Sequence, residues 1–191
     1  MTDAPPPITR FNALATIDAI ERYRSGVLLL NKSLLSMDDE ALDTFFRPEA
    51  GGGGGGEGGG VGRWSCRALV GHLADAEIVF AHRLRRAAAE DNPVMPGWDA
   101  DAMIDAGLYA DEARNIRMPV AGFVAVIHTT RKWMSEWLDT LPDSAWQRRL
   151  LHETRGEFTL RTMLDLATWH LEHHVWFLDR KLALLGVPLA D

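Results

Sequence analysis

The sequence predicts an all-α protein, a four-helix bundle with a long crossover connection and short extra helices. Four long segments carry apolar residues at helical spacing, and three of them start at a residue that favours a helix start. The segments between them lack the alternation of apolar and polar residues that is typical of strands. Connections of this length suit a bundle in which at least one connection crosses over rather than joining neighbouring helices.

The first long helix is predicted from about Thr16 to Leu35, although Gly26 weakens its middle. Its apolar positions, which follow helical spacing roughly, are Ile17, Ile20, Val27, Leu28, Leu34 and Leu35. A short helix is expected over residues 38–46. Ser36 is its expected cap, because a hydroxyl can accept a hydrogen bond from a free backbone N–H group of the first turn.

Residues 51–62 are nearly all glycine. Glycine loses much conformational entropy when it is ordered, so this run predicts a flexible polyglycine loop. A phosphate-binding loop is the alternative, but no Gly-Lys-Ser/Thr follows. Residues 1–10 contain three consecutive prolines and are expected to form a flexible, extended N-terminal arm. We expect residues 1–191 to form one domain that includes both parts.

The second long helix is predicted to begin after Ser65, a good N-cap, and to end near residues 91–93. Its apolar stripe consists of Leu69, Leu73, Ala76, Phe80 and Leu84. Residues 93–118 are expected to be irregular, apart from a short helix over residues 99–106. The chain should therefore travel some distance before the third long helix begins.

The third long helix is predicted over about residues 119–138, with Pro119 in its first turn. Residues 142–146 are expected to form one more helical turn. The fourth long helix should begin after Thr159, which can act as its cap, and run to about residue 185.

The composition restricts the classes of function. The chain carries a formal net charge of −7, whereas proteins that bind nucleic acid through its phosphates need a basic face. Its apolar runs are far shorter than the about 20 residues of a membrane span. The first residues lack the pattern of a signal peptide, and the single cysteine, Cys66, excludes an internal disulfide. We expect a cytoplasmic protein without nucleic-acid or membrane partners.

Three histidines are the candidate metal ligands, namely His72, His170 and His174. His170 and His174 are one helical turn apart, which places their Cβ atoms about 5–6 Å from each other. On a helical wheel both point into the apolar stripe of the fourth helix, and His72 shares a face with Leu69 and Ala76. One shared metal ion would satisfy three buried imidazoles at once. The alternative is three core histidines, each hydrogen-bonded to a carbonyl or an acid.

The other histidines have weaker arguments. His173 lies at the edge of the apolar stripe and is interpreted as a residue behind the ligands or on the surface. His82 and His128 have no partner at a useful spacing. His152 lies in a predicted loop before Gly156, from which it could line a pocket.

Three neutral imidazoles leave a divalent metal with its full charge and an open position, which is typical of catalytic zinc. Such a metal lowers the pKa of a bound water or holds a thiolate. Nickel, iron and manganese also accept imidazole ligands. A di-iron carboxylate centre is disfavoured, because its paired Glu-x-x-His motifs are absent from the sequence.

Candidates for the remaining chemistry are few. Asp75, His152 and Glu172 are the candidate catalytic residues, as general bases, and Trp98 is the candidate residue of a substrate pocket. Cys66 is interpreted as a small buried residue, since it lies well around the helix from the candidate ligand.

Three arginines, Arg83, Arg85 and Arg86, are close together near the end of the second long helix. They are interpreted as a solvated helix face, and the alternative is that they hold an anionic cofactor.

Several short motifs occur in a characteristic order along the chain. They are Trp64-Ser65, His72-Leu73-Ala74-Asp75-Ala76-Glu77, Pro96-Gly97-Trp98-Asp99, His152 with Gly156 and Phe158-Thr159-Leu160, and Trp169-His170 with His173-His174. Their order and spacing resemble the DinB/YfiT-like superfamily of metal-dependent enzymes, and the resemblance covers about residues 14–186.

The resemblance implies a four-helix bundle that holds one metal ion, often zinc or nickel, on three histidines. Carried over by position, these are His72, His170 and His174. It also implies thiol S-transfer with bacillithiol or mycothiol, or a glutathione-dependent isomerisation, and a homodimer formed through the bundle. The chain departs from the pattern at Phe177, where the family often has a polar residue or histidine, and in the polyglycine loop.

The sequence therefore predicts a metal-dependent enzyme, a low-molecular-weight thiol S-transferase or a related hydrolase, that acts on a small-molecule substrate. The alternative is a non-catalytic metal- or small-ligand-binding bundle of stress-response type. A fourth protein ligand that closes the metal site would favour this alternative. A third hypothesis is a metal-free structural dimer with a polar core.

Overall fold

A computed structural model of the chain describes residues 4–11, 13–46 and 61–188. The α-helices of these ranges are α1 (Thr16–Ser25), α2 (Asp39–Asp43), α3 (Cys66–Ala89), α4 (Ala100–Asp105), α5 (Val120–Leu138) and α6 (Leu160–Leu184). The strands are β1 (Val94–Met95), β2 (Ala110–Asp111), β3 (Ile116–Arg117), β4 (Arg149–His152) and β5 (Gly156–Thr159). Most of the predicted polyglycine loop, residues 51–60, lies outside the described residues.

Four helices form the bundle. Helix α3 packs against α5 and α6, and α1 packs against the same two helices, so α1 and α3 occupy opposite corners. The connections from α1 to α3 and from α3 to α5 are long and carry the short helices and the strands β1, β2 and β3. No helix in the described part of the chain is both long and apolar enough to span a membrane.

The first helix is shorter than predicted. It ends at Ser25, and the chain continues through two 3-10 helices, Gly26–Leu29 and Lys32–Leu35. The apolar stripe divides accordingly: Ile20, Val27 and Leu34 are buried, whereas Ile17, Leu28 and Leu35 are exposed. A regular helix would have kept the stripe on one face, so the prediction of one helix from Thr16 to Leu35 is wrong.

Helix α2 begins with a different cap from the predicted one. The Asp38 carboxylate accepts a hydrogen bond from the backbone N–H of Ala41 at 2.8 Å. Ser36, the predicted cap, donates instead to the carbonyl of Ser33 at 3.1 Å. Asp38 is the cap because it directly precedes the helix. The positive end of the helix dipole also stabilises its negative charge there.

Two small sheets correct the all-α prediction. Strand β4 lies between β1, which runs parallel to it, and β5, which runs antiparallel, and β2 pairs with β3 in a separate hairpin. In the first sheet Met95 lies opposite His152, and His152 lies opposite Gly156. This sheet therefore joins the segment after α3 to the segment that leads into α6.

The starts of the long helices follow the predictions closely. Ser65 accepts a hydrogen bond from the Ala68 N–H at 3.2 Å and caps α3. Thr159 and Thr162 form a capping box at the start of α6. Asp99 caps the short helix α4, which lies within the predicted range. Pro119 is the residue before α5 rather than in its first turn.

The N-terminal segment differs from a free extended arm. Residues Ile8–Phe11 form a 3-10 helix. The carbonyl of Pro6 accepts a hydrogen bond from the indole N–H of Trp169 at 2.7 Å. This segment is thereby attached to α6.

A buried ion pair connects the bundle helices. Arg131 of α5 donates to Glu77 of α3 at 2.6 and 2.8 Å, and both side chains are almost completely buried. The same guanidinium donates to the carbonyls of Tyr23 at 2.9 Å and Ala167 at 3.0 Å. The Tyr23 hydroxyl donates to Glu77 at 3.0 Å. Because Ala167 is one turn before His170, this network fixes α6 against the other three helices next to the candidate ligand.

Candidate metal centre

The three candidate ligands converge through one atom of each ring. The Nε2 atom of His72 lies 3.1 Å from Nε2 of His170 and 3.3 Å from Nε2 of His174. Ligand atoms of all three residues lie within 4.8 Å of one another. Helix α3 provides the first ring and one turn of α6 provides the other two, as their sequence spacing indicated.

Hydrogen bonds alone do not satisfy this arrangement. The Nε2 atom of an imidazole carries either one proton or one lone pair, so His72 can form a hydrogen bond with only one of its two neighbours at a time. A metal ion instead accepts a lone pair from each ring. Three nitrogens bound tetrahedrally to zinc at 2.0–2.1 Å would lie about 3.3 Å apart, and the two separations at His72 match this value. The residues present therefore fit a divalent metal.

Burial keeps the rings in the protonation state that a metal needs. Burial lowers the pKa of His72 to about 4, and the charge of Asp101 opposes this shift only in part. The pKa values of His170 and His174 also lie well below the ordinary value, chiefly because of burial and further because each has other imidazoles beside it. All three rings are consequently neutral at pH 7, with nitrogen lone pairs free for a metal.

Aromatic packing holds the ligand rings in place. Trp98 stacks on His72 with the ring centroids 5.1 Å apart and an interplanar angle of 12°. The ring centroid of Trp64 lies 5.0 Å from that of His72. Phe80 meets His170 edge-on at 5.4 Å. In the described part of the chain, the buried Nδ1 atoms of His72 and His170 have no hydrogen-bond partner. Metal-bound histidines usually donate from this second nitrogen, so packing orients these two rings instead.

A cleft of about 650 Å³ opens beside His170, one of the three candidate ligands. Its volume is within the range of small-molecule sites. The residues that line it are Phe80, Arg83, Gly97, Trp98, Asp99, Ala100, Asp101, His152, Glu153, Thr154, Arg155, Leu166 and His170. The predicted pocket residue Trp98 is thus in the wall of the cleft, and His170 connects the cleft to the candidate metal centre.

The structure separates the three candidate catalytic residues. His152, which lies opposite Met95 in the sheet, lines the cleft. Asp75 instead accepts a hydrogen bond from the Tyr109 hydroxyl at 2.5 Å. Glu172 is buried in a two-bond ion pair with Arg22, at 2.7 and 2.8 Å. Neither of these two carboxylates lines the cleft.

His152 has a defined tautomer. Its Nδ1 atom accepts a hydrogen bond from the backbone N–H of Thr154 at 3.3 Å, so the proton of the neutral ring is on Nε2. Burial lowers the pKa of His152, and the positive charges of Arg83 and Arg155 lower it further. The ring is therefore neutral at pH 7 and is a hydrogen-bond donor at Nε2.

Sequence analysis missed several residues of the cleft, among them Arg83 and Arg155. Arg83 was expected on a solvated face, but only 7% of it is exposed. Arg85 is exposed and stacks on two tryptophans, and Arg86 pairs with Glu90, so these two do lie on the outer side of α3. The helical wheel does indicate that Arg83 is buried. At 100° per residue, Arg83 lies about 40° from Leu69, within the apolar stripe.

The remaining cysteine and histidines belong neither to the cleft nor to the group of candidate metal ligands. Cys66 is fully buried, and burial raises the pKa of its thiol to about 11, so it stays protonated. His82 and His128 are exposed. His173 is half-buried beside Trp169 and Phe177, behind the converging rings.

The fold and this site define a helical-bundle protein with a three-histidine candidate metal centre beside a small-molecule cleft. Residues 29–178 match the model of the DinB superfamily, and the chain belongs to this superfamily.

Relatives agree with this class of protein. A protein of Oceanobacillus iheyensis named "putative metal-dependent hydrolase" is 25% identical over 147 residues, which are 77% of this chain and 74% of that protein. YfiT of Bacillus subtilis, which has the same description, is 26% identical over 147 residues, 76% of this chain and 72% of YfiT.

A solved structure of Bacillus subtilis YfiT has the same fold. It superimposes with a TM-score of 0.73 at 22% sequence identity, covering 98% of this chain and 97% of that chain. It is described as "a probable metal-dependent hydrolase with an unusual four-helix bundle topology". The bundle of this chain therefore has a counterpart over nearly its full length.

Proposed function

We propose that this protein is a metal-dependent enzyme that uses His72, His170 and His174 as the ligands of one divalent metal ion, zinc or nickel. The observation that carries the proposal is the convergence of three neutral Nε2 atoms, one of them from His170 in the wall of a cleft large enough for a small molecule. When bound, the metal supplies Lewis acidity, which makes a water or a thiol nucleophilic at neutral pH. The names of the relatives agree with such an activity.

The proposed reaction is hydrolysis, or transfer of an electrophilic group to a low-molecular-weight thiol. In both reactions the nucleophile is external to the chain, which agrees with the protonated, buried state of Cys66. Trp64, Trp98 and Phe80 surround the ligand rings and keep water from their faces. His152 is proposed to hold the substrate or its leaving group through the proton on Nε2.

A non-catalytic metal-binding bundle is the second candidate function. It would be favoured by a fourth protein ligand that closes the site. In the ranges that the structure describes, the group of potential ligands consists of three histidines without a nearby cysteine or carboxylate. An open position beside a cleft supports the enzyme over the binding protein.

The cellular setting is proposed from weaker observations. We place the protein in the cytoplasm, because its only cysteine is free and buried. We propose a homodimer on the family resemblance, and Leu28, Phe45 and Leu184, which are exposed by two thirds or more, are apolar side chains that such an interface could cover. Light scattering coupled to size-exclusion chromatography measures the mass directly, and a mass near that of one chain would contradict the dimer.

The experiment that tests the proposed function is elemental analysis of the tag-free protein after reconstitution with zinc or nickel. We expect about one metal ion per chain in the wild type and a loss of metal in His72→Ala and His170→Ala. His82→Ala is the matched control, since His82 is an exposed histidine of the same helix as His72. Thiol transfer to electrophiles and ester or amide hydrolysis should then depend on the metal. A wild-type protein without metal, or equal activity in His170→Ala, would contradict the proposal.

A further inference from the structure

The cleft beside the metal centre contains a buried arginine without an acidic partner. Arg83 is 7% exposed and lines the cleft. Its Nη2 donates to the carbonyl of Pro96 at 2.8 Å, and the guanidinium forms no ion pair with any carboxylate in the described ranges of the chain. Two other buried arginines, Arg67 and Arg131, do have carboxylate partners. Burying an arginine without a carboxylate partner costs free energy, because no ion pair compensates the desolvation of the charge.

A second arginine increases the positive charge at the same wall. Arg155 lines the cleft and, within the part of the chain described, has no ion-pair partner either. The positive charge of Arg155 lowers the pKa of Arg83, in addition to the effect of burial. At His152, the charges of Arg83 and Arg155 each outweigh the opposing effect of Glu153 on the pKa. Around His152 the two guanidinium charges therefore outweigh the carboxylate of Glu153.

The acidic residues of the cleft already have other partners. Asp101 accepts hydrogen bonds from Arg63 at 2.8 Å and from Trp64 at 3.2 Å. Glu153 accepts from the Gly97 N–H at 3.0 Å, and Asp99 caps α4 through the Ala102 N–H at 3.0 Å. Asp101 is thus paired with Arg63, and Asp99 and Glu153 are bound by backbone N–H groups, so none of the three described carboxylates forms an ion pair with Arg83 or Arg155.

We propose that the cleft recognises its substrate through an oxyanion, a carboxylate or a phosphate, that pairs with Arg83 and Arg155 while the reacting group lies toward His170. This inference rests on the proposed function, since it names the substrate class of the same site. A guanidinium forms paired, charge-assisted hydrogen bonds with either oxyanion, and a partly desolvated site strengthens them. The donor at Nε2 of His152 adds a neutral hydrogen bond at the same wall.

The test uses the full-length, zinc-loaded protein and three thiols that differ in one end group. They are 3-mercaptopropionate, 2-mercaptoethylphosphonate and the neutral 3-mercaptopropionamide. Calorimetric titration at pH 7.5 gives a Kd for each. We expect at least one anionic thiol to bind about 10-fold tighter than the amide, which is the usual effect of a hydrogen bond to a charged group. The anion with the larger preference identifies the oxyanion that the cleft recognises.

Variants then assign the preference to the two arginines. Arg83→Gln should remove the preference for the anionic thiols over the amide. Arg155→Gln, an exposed substitution that does not endanger folding, should reduce it about 3-fold. Arg85→Gln is the control, because Arg85 is an exposed residue of the same helix outside the cleft, and it should keep the full preference.

The outcomes separate this inference from the proposed function. Zinc uptake with equal affinity for all three thiols, or with no binding of any, would overturn the oxyanion site and leave the metal centre standing. A preference that survives in both Arg83→Gln and Arg155→Gln would overturn it as well. A wild-type chain that takes up no zinc removes the proposed function and this inference with it.

Discussion

Substitution of Gly26 by alanine tests the packing around the buried ion pair. From local preference alone, the change should stabilise the protein, because the backbone at Gly26 is helical (φ −54°, ψ −33°) and alanine is favoured over glycine by about 1 kcal/mol. The tertiary structure reverses this expectation. A Cβ atom at Gly26 would overlap Nη1 of Arg131 and lie 3.4 Å from its Cζ.

The guanidinium cannot withdraw without breaking its bonds. It is fully buried and held by Glu77 and by the carbonyls of Tyr23 and Ala167. Separating a buried ion pair costs about 3–5 kcal/mol, which exceeds the gain in helix preference. We therefore expect Gly26→Ala to lower the free energy of unfolding by about 2–4 kcal/mol.

The assay is urea unfolding of the metal-free protein, followed by tryptophan fluorescence and far-UV circular dichroism. Gly122→Ala is the matched control, since Gly122 is an exposed residue of α5 whose added Cβ would meet nothing closer than Pro119 Cγ at 3.6 Å. It should raise the free energy of unfolding by about 0.5–1 kcal/mol. If Gly26→Ala is as stable as the wild type while Gly122→Ala is stabilised, the reasoning about Arg131 is refuted.

Three further predictions concern the bundle and the metal centre. In the metal-free protein, stability should fall as the pH drops from about 6.5 toward 4, because the pKa of His72 is lowered to about 4 and the unfolded chain binds the proton first. Thermal unfolding against pH should show a flatter slope in His72→Gln, and equal slopes would contradict this. Thr159→Ala should lower the free energy of unfolding by about 1 kcal/mol through loss of the α6 cap, whereas Thr159→Ser should keep most of it in the same urea assay. Zinc should raise the Tm of the wild type but not of His170→Ala, and calorimetric scans with equal shifts in both would exclude these ligands.

Local chemistry explains which elements could be predicted. The caps at Ser65, Asp99 and Thr159 act within three residues of themselves, so the starts of α3, α4 and α6 are readable from the chain. The i, i+4 spacing of His170 and His174 likewise fixes a shared helix face. The stripe of α3 then indicated that His72 faces the same core.

The errors have non-local causes. Strands β1 and β4 are two and four residues long and pair across a large separation in sequence, so neither carries a periodic signal of its own. The break in the first helix coincides with the place where Arg131 of α5 packs against Gly26. His152 was assigned to a loop, although it is a strand residue that pairs with Met95 of β1 and, across the β4–β5 hairpin, with Gly156.

Helical periodicity and capping depend on residues within one or two turns, so the chain alone predicts the second, third and fourth long helices and the three inward-facing histidines. The meeting of the three Nε2 atoms, and the presence of His152 rather than Asp75 or Glu172 in the wall of the cleft, are visible only in the folded protein. These facts depend on how α3, α6 and the small sheet pack. Packing is set by shape and by the pairing of buried charges between segments far apart in the chain, which no local pattern encodes.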